Sequence, residues 1–216
     1  MDVLTIILKQ GPQGLSTTMT VFFLTLLLSL PLSIIVVMLG RSPITLINKI
    51  IAGYIYFMRG TPLLLQLMFL FFGLPFVPVI GVALSRYQAV IVAFALNYAA
   101  YFAEILRGGI EGVSIGQWEA GTVLGLNKRQ TFFHIILPQV FKSTIPAIGN
   151  EVITLLKDTS LVYILGLTDI LKVANGVSTA NLSFIPYIFV AGVYLLLTAV
   201  LTKIMSKIEE KANYIS

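Results

Sequence analysis

The sequence predicts an all-α integral membrane protein with five transmembrane helices and its N-terminus outside. Of its 216 residues, 57% are hydrophobic and only 11% are charged, whereas soluble domains carry about 25% charged residues. Such a chain has too little polar surface to cover a water-soluble core, but a membrane domain faces lipid instead. The basic residues are also unevenly distributed between the two sides of the predicted spans. We therefore treat residues 1–216 as a single transmembrane domain.

The first and last spans are continuous apolar segments. No charged residue occurs between Lys9 and Arg41, and the segment 17–39 is long enough to cross the hydrocarbon core of ~30 Å. The last span covers residues 184–202, and three lysines follow closely after it: Lys203, Lys207 and Lys211.

The segment 44–75 is predicted to form one interrupted span. It is apolar almost throughout, but Thr61 and Pro62 break it. Thr61 suits the N-cap of a second helical piece, and Pro62 suits its first helical position. The piece 62–74 would rise only about 20 Å as helix, which is too little to span alone. Arg59, just before the break, is expected to extend toward the inner surface.

The third and fourth spans, residues 87–105 and 144–167, contain polar side chains. The third carries a late carboxylate, Glu104, one turn before Arg107, and this spacing predicts an ion pair at the membrane boundary. The fourth is apolar apart from Asn150, Glu151, Lys157 and Asp158. Charged residues inside a span are costly and usually mark function.

The five spans sort the basic residues by side. Ten of them fall inside or at the inner boundary: Arg41, Lys49, Arg59, Arg107, Lys128, Arg129, Lys142, Lys203, Lys207 and Lys211. Three fall outside: Lys9, Arg86 and Lys172. This positive-inside bias places the N-terminus outside and a loop of about residues 108–141 in the cytoplasm.

The composition excludes several kinds of site. There is no cysteine and only one histidine, so the sequence predicts no disulfide, thiol nucleophile or metal site. We find no nucleophile–base constellation and expect no catalytic residues. The basic residues are scattered singly, which argues against nucleic acid as a partner. No P-loop pattern occurs, so we expect no ATP binding through that motif.

The cytoplasmic loop is rich in apolar residues, which is unusual for a tether. These residues are Trp118, Leu124, Leu126, Phe132, Phe133, Ile135 and Ile136. An apolar, structured loop with nothing of its own to bury against indicates a protein partner. The alternative is a short amphipathic hairpin that lies on the membrane surface.

Four stretches of the chain resemble a known family. Glu119-Ala120-Gly121, three residues, Gly125, nine residues and Ile135-Ile136-Leu137-Pro138 resemble the EAA loop of ABC importer permeases. The one departure is Gly121 in place of alanine, which loosens a helix by about 1 kcal/mol. Three further stretches resemble polar amino acid permeases of the histidine, glutamine and arginine type: RGTPLLLQL (59–67), AYFAEILRGGI (100–110) and LLKDTSL (155–161).

This resemblance implies the fold of type I ABC importer permeases and inward transport of a polar or basic amino acid by alternating access across a bacterial inner membrane. The implied partners are two copies of a cytoplasmic ATP-binding subunit that binds ATP-Mg, a second permease subunit (identical or homologous), an extracytoplasmic amino acid-binding protein and membrane lipid. No cofactor is implied in this chain. The residues expected to couple to the ATPase are Trp118, Glu119, Ala120, Gly121, Gly125 and Leu126. An ion-coupled secondary amino acid transporter is the alternative that intramembrane carboxylates leave open.

Polar side chains on the third and fourth spans predict a hydrated cavity between them. At 100° per residue, the polar residues of the fourth span occupy one arc of about 120°. A free amino acid requires donors for its carboxylate and acceptors for its ammonium group. The candidate substrate contacts are Asn97, Tyr101, Glu151, Thr154, Lys157, Asp158, Thr159 and Ser160.

Two interpretations of these candidates stay open at this point. In the first, Lys157 meets the substrate carboxylate, and Glu151 or Asp158 meets an ammonium group or a basic side chain. In the second, Lys157 pairs with a carboxylate of a neighbouring helix and fixes the packing. Under that interpretation, the segment 158–160 caps a helix break.

Overall fold

The computed structural model describes residues 3–78 and 81–213, and all regular secondary structure within these ranges is helical. Its nine described α-helices are α1 (Val3–Gly40), α2 (Thr45–Gly60), α3 (Leu63–Met68), α4 (Arg86–Glu111), α5 (Ile115–Val123), α6 (Lys128–Thr131), α7 (Leu137–Asp158), α8 (Ile170–Asn181) and α9 (Ile185–Asn213). Helices α1, α4 and α9 are long and apolar enough to cross a membrane, and two bent helix pairs bring the number of spans to as many as five. This architecture agrees with the predicted all-α fold.

The first helix extends well beyond the predicted span 17–39. It begins at Val3, and its N-terminal half packs against α8, where Ile7 is buried. Gly14 allows this close approach, because an added Cβ would lie 2.8 Å from the Cα of Ile170. Tertiary contact with α8 accompanies this extension, and the hydropathy of the segment did not indicate it.

The predicted interruption near residue 61 is confirmed, and it is a sharp bend. The helix α2 and the following segment Leu63–Phe76, in which α3 continues through a π-helical turn and a 3₁₀ turn, meet at 107°. The prediction that Thr61 caps the second piece is wrong, because Pro62 occupies the N-cap position and no side chain caps α3. Thr61 has the extended backbone typical of a residue before proline, and its hydroxyl donates to the carbonyl of Phe57 at 2.8 Å.

Two amide side chains compensate for the hydrogen bonds that the break removes. The carbonyl of Met58 would accept from the residue four positions later in a continuous helix, but that residue is Pro62, which has no N–H. Instead, Gln66 Nε2 donates to the Met58 carbonyl at 2.9 Å and Asn97 Nδ2 donates to it at 3.0 Å. Asn97 Nδ2 also donates to Gln66 Oε1 at 3.0 Å. This buried cluster joins the break to α4.

The helix α4 forms the centre of the molecule. In the most apolar segment of α4, 61% of the residues are buried, whereas 6% are buried in the corresponding segment of α9. It packs against α1, α2, α3 and α7 through small and aromatic side chains: Ala89, Ala93, Phe94, Tyr98, Ala99, Ala100, Phe102 and Ala103. The small residues allow close helix approach, as is common between membrane helices.

The predicted fourth span, 144–167, corresponds to a longer and bent unit. A π-helical turn joins α6 to α7, which begins at Leu137 and ends at Asp158, and a 3₁₀ segment, Thr159–Leu165, follows. This unit and α8 then form a bent pair at 54°. The break is therefore present, but Asp158 makes no side-chain capping bond. Asp169 caps α8 instead, by accepting hydrogen bonds from the two backbone N–H groups two and three residues later.

Candidate functional site

A cavity of about 440 Å³ lies where the α2–α3 break faces α4 and α7. We call it the central cavity. Its volume falls in the range of about 300–1,000 Å³ that is typical of small-molecule sites. The cavity is open on one side rather than enclosed, so a single chain does not surround it.

Five of the eight candidate substrate contacts line the central cavity. They are Asn97, Tyr101, Glu151, Thr154 and Asp158. The two on α4 are four residues apart, and those on α7 are three to seven apart. Such spacings place side chains on one face of a helix. The predicted meeting of two polar helix faces is present in the structure.

The other three candidates lie elsewhere. Lys157 and Ser160 line a separate pocket against α8 and α9. Thr159 is fully buried, and its hydroxyl donates to the carbonyl of Leu156 at 2.6 Å. The predicted arc of about 120° is wide enough for its two edges to face different neighbours. In this conformation, contacts with a solute in the central cavity are therefore confined to the other five candidates.

Six further residues line the central cavity, and two of them, Arg59 and Tyr98, bring a charged or phenolic side chain that was not predicted to contact the substrate. Arg59 lies at the break, with its guanidinium carbon 5.5 Å from the centre of the Tyr101 ring. Tyr98 donates its hydroxyl to Asp158 Oδ2 at 2.7 Å. A charged residue beside a helix break in an apolar segment is a signal that could have identified Arg59. Tyr98 gave no such signal, because buried aromatic residues on a central helix are typical of a core.

The predicted ion pair at the end of α4 is confirmed and belongs to a larger network. Arg107 lies 2.7 Å from Glu104 and 2.6 Å from Glu111. Arg59 lies 3.3 Å from Glu104 and thereby links α2 to α4. Glu104 is thus shared between two guanidinium groups. Within the ranges that the structure describes, no group of three or more acidic, histidine or cysteine side chains is placed to hold a metal ion.

The cytoplasmic loop forms a compact turn around α5. Helix α5 ends in a Schellman motif, in which the N–H of Gly125 donates to the carbonyl of Thr122 at 3.0 Å and the N–H of Leu126 donates to the carbonyl of Gly121 at 2.9 Å. Gly125 has φ of +74°, a left-handed conformation that other L-residues adopt only with strain. The glycine at this position of the motif is therefore required by backbone geometry.

Gly121, the one departure from the EAA pattern, has a packing role. It is buried, and an added Cβ would lie 2.6 Å from the side chain of Thr131. The missing methyl group lets α5 approach α6 closely. On the same side of α5, Trp118 stacks on Phe132 with ring centres 6.3 Å apart. Gly121 and Trp118 therefore hold the loop together.

The opposite face of α5 is exposed and apolar. Ile115 and Val123 are 74% and 87% exposed. Glu119 and Ala120 are also exposed. A surface of this kind on a folded loop indicates a binding face for another protein. The six predicted coupling residues thus divide into an exposed group (Glu119, Ala120 and Gly125) and a group that supports the fold of the loop (Trp118, Gly121 and Leu126).

Comparison with known proteins gives consistent matches. Residues 29–213 match a family model described as "Binding-protein-dependent transport system inner membrane component". The chain is 36% identical over 200 residues to an arginine transport system permease protein of Bacillus subtilis (strain 168), covering 92% of this chain and 90% of that protein. It is 32% identical over 202 residues to an L-cystine transport system permease protein of the same organism, covering 93% and 85%.

Two solved structures are similar over nearly their whole length. A structure described as an amino acid ABC transporter with histidines matches with a TM-score of 0.88 and 32% identity, covering 98% of this chain and 99% of that one. An inward-facing methionine ABC transporter matches with a TM-score of 0.72 and 14% identity, covering 97% of both chains. The second likeness concerns the fold alone.

Proposed function

Because the chain belongs to the family of binding-protein-dependent transport system inner membrane components, we propose that it carries polar or basic amino acids inward through the central cavity. The chain is a permease subunit of an ABC importer, and the ATPase is a separate subunit. Family membership therefore selects ATP-driven transport over the alternative of an ion-coupled carrier. Beyond family membership, we propose the substrate class and the residues that contact the substrate.

The observation that carries this proposal is the charge arrangement in the central cavity. Arg59 supplies a guanidinium group, and Glu151 and Asp158 supply two carboxylates. A guanidinium group matches the planar geometry of a substrate carboxylate. The two carboxylates are seven residues apart on one helix, which is about 10 Å along its axis. One can meet an α-ammonium group while the other meets the far end of a long cationic side chain.

The neutral lining residues complete the proposed contacts. Asn97, Tyr101 and Thr154 provide hydrogen-bonding groups and an aromatic face. The amide nitrogen of Asn97 is already engaged with the helix break, so Asn97 positions the cavity wall in addition to lining it. The names of two relatives, an arginine and an L-cystine transport system permease protein, support amino acids as the substrate class.

The open side of the central cavity supports a second permease subunit, identical or homologous, that closes the pathway. In the proposed assembly, two copies of an ATP-binding subunit bind ATP-Mg and contact the exposed face of α5 through Glu119, Ala120 and Gly125. The fold of that face is supported by Trp118, Gly121 and Leu126. A binding protein delivers the amino acid from outside, where we also place the N-terminus. Transport across the bacterial inner membrane is driven by ligands that bind two conformations of the pathway with different affinities.

Uptake of arginine and glutamine into proteoliposomes tests the proposal. The transporter is reconstituted with a saturating amount of loaded binding protein, so that the selectivity of that protein does not mask the cavity. Glu151→Gln is expected to lower arginine uptake about tenfold or more and glutamine uptake much less, because removal of one partner from a desolvated charge pair costs several kcal/mol. Asp158→Asn is expected to lower both.

Lys157→Gln provides a matched control, because it alters the charge next to Asp158 on a face that does not line the central cavity. We expect it to have a smaller effect than Asp158→Asn on both substrates. An equal loss of arginine and glutamine uptake in Glu151→Gln would mean that Glu151 is structural, and the proposed cavity contacts would be wrong.

A further inference from the structure

A second cavity, of about 650 Å³, lies between the end of α1 and the cytoplasmic loop. We call it the basic pocket. Three cationic and three aromatic side chains dominate its lining: Arg41, Lys128, Arg129, Trp118, Phe132 and Phe133. The basic pocket shares no lining residue with the central cavity, and Ile115, Glu119 and Val123 do not line it.

The cations of the basic pocket have no acidic partner among the residues that the structure describes. The ion pairs found there connect Arg59, Arg107, Glu104 and Glu111, and no carboxylate lines the pocket. Arg129 contacts an aromatic ring instead, with its guanidinium carbon 5.8 Å from the centre of the Phe133 ring. Three cationic residues that line one pocket without a carboxylate among its lining residues favour an anionic ligand.

The basic pocket begins where the lipid-facing surface of α1 ends. Ile35 and Met38, in the last turns of α1, are 51% and 69% exposed, as expected for side chains in contact with acyl chains. Val37 packs into the cluster that contains Trp118. Arg41 follows Val37 by four residues and so continues the face of α1 that packs on this cluster. We therefore place the pocket at the level of the lipid headgroups.

The basic pocket shares no lining residue with the exposed stripe of α5 that we assign to the ATPase. That stripe contains Ile115, Glu119 and Val123, each four residues apart. From α5, Trp118 and Thr122 line the pocket. Trp118 lies about 100° from Glu119 around the helix axis, whereas Thr122 lies about 20° from Ile115. The pocket therefore lies beside the exposed stripe but is distinct from it.

We propose that the basic pocket binds the phosphodiester headgroup of an anionic phospholipid from the inner leaflet. The cations meet the phosphate, and the aromatic rings lie against the glycerol and the upper acyl chain. Basic pockets on the cytoplasmic side of membrane helices suit such headgroups. Bound lipid would connect the end of α1 to the cytoplasmic loop and stabilise the position of that loop against the membrane.

Native mass spectrometry of the full-length chain tests this site. The purified chain is equilibrated in mixed micelles of phosphatidylglycerol and phosphatidylcholine that have the same acyl chains. Lys128→Gln/Arg129→Gln is compared with Lys203→Gln/Lys207→Gln, which removes two exposed lysines predicted on the same side but outside the pocket. The pocket variant is expected to lose about 25-fold in preference for phosphatidylglycerol, from about fivefold for each basic side chain near an anionic leaflet. The control variant removes the same charge from the same side, so its loss measures the general attraction to anionic lipid and is expected to be smaller.

A second variant guards against loss of fold. Thr122→Glu places a carboxylate in the pocket at an exposed position and is expected to reduce phosphatidylglycerol binding while the thermal unfolding of the chain is unchanged. Equal lipid preference in the pocket and control variants would overturn the proposal. Displacement of the lipid by inorganic phosphate alone would indicate a site for a soluble anion and would also overturn it.

Discussion

The central cavity and the cytoplasmic loop depart from their surroundings in opposite ways. The cavity places charged side chains at the depth of the membrane, where neighbouring surfaces are apolar. The loop exposes Ile115 and Val123 on the cytoplasmic side, where soluble surfaces are largely polar. Both departures are costly, since a buried charge needs a partner and an exposed apolar patch favours association.

The difference between them lies in how each cost is met. Within the cavity, polar groups have partners in the same chain: Tyr98 donates to Asp158, and Asn97 joins Gln66 at the helix break. On the loop, no residue that the structure describes covers the apolar side chains of the exposed stripe. The cavity wall is therefore preorganised within the permease, whereas we propose that another protein completes the loop surface.

The largest effect is expected from a change to the loop surface. Glu119→Lys should leave the amount of inserted chain unchanged but lower transport about tenfold or more, because a charge of the wrong sign at a packed interface costs several kcal/mol. The measurements are amino acid uptake and stimulation of ATPase activity by loaded binding protein.

Glu210→Lys is the control for that variant, because it reverses an exposed carboxylate on α9 away from the loop. It should retain both activities. If Glu119→Lys kept normal stimulation, the loop surface would not be the coupling face, and the ATPase would not be the protein that covers it.

An intermediate effect is expected at the cavity wall. Gln66→Leu removes donors from the carbonyl of Met58 and from Thr61. The Met58 carbonyl keeps Asn97 as a donor, so the cost is that of several lost hydrogen bonds at about 1 kcal/mol each, or about 1–3 kcal/mol in total. The apparent unfolding temperature in detergent should therefore fall, even in the absence of partner subunits.

A double-mutant cycle with Asn97→Leu sharpens this test. Gln66 and Asn97 share a hydrogen bond, so the double variant should lose less than the sum of the two single losses. Strictly additive losses would mean that the two amides act separately, and an unchanged unfolding temperature in Gln66→Leu would contradict a preorganised wall.

The smallest effect is expected from the backbone of the loop. Gly125→Ala places a methyl group on a residue with φ of +74° and should destabilise the loop locally by about 1–2 kcal/mol. Amide hydrogen exchange across residues 120–131 should become faster. Gly116→Ala, inside α5 and in ordinary van der Waals contact, should leave exchange unchanged or slower, since alanine favours helix. Equal exchange in the two variants would contradict the role of Gly125 in the motif.

Much of the fold could be predicted because the relevant signals are local. The break at Pro62 was visible because proline lacks an N–H, and the Glu104–Arg107 pair was visible because one helical turn separates the two residues. The bend of 107° and the extension of α1 to Val3 were not visible. They come with contacts between distant segments, such as Gly14 with Ile170, to which hydropathy is insensitive.

The sequence by itself determined the membrane class, the interrupted span and the polar faces of two spans, because hydropathy and helical spacing act over a few residues. Only the tertiary structure decided which polar residues share the central cavity. It placed Arg59 there and turned Lys157 toward α8 and α9. The physical reason is that helical periodicity sets the direction of a side chain relative to its own axis, whereas packing determines which neighbour that direction faces.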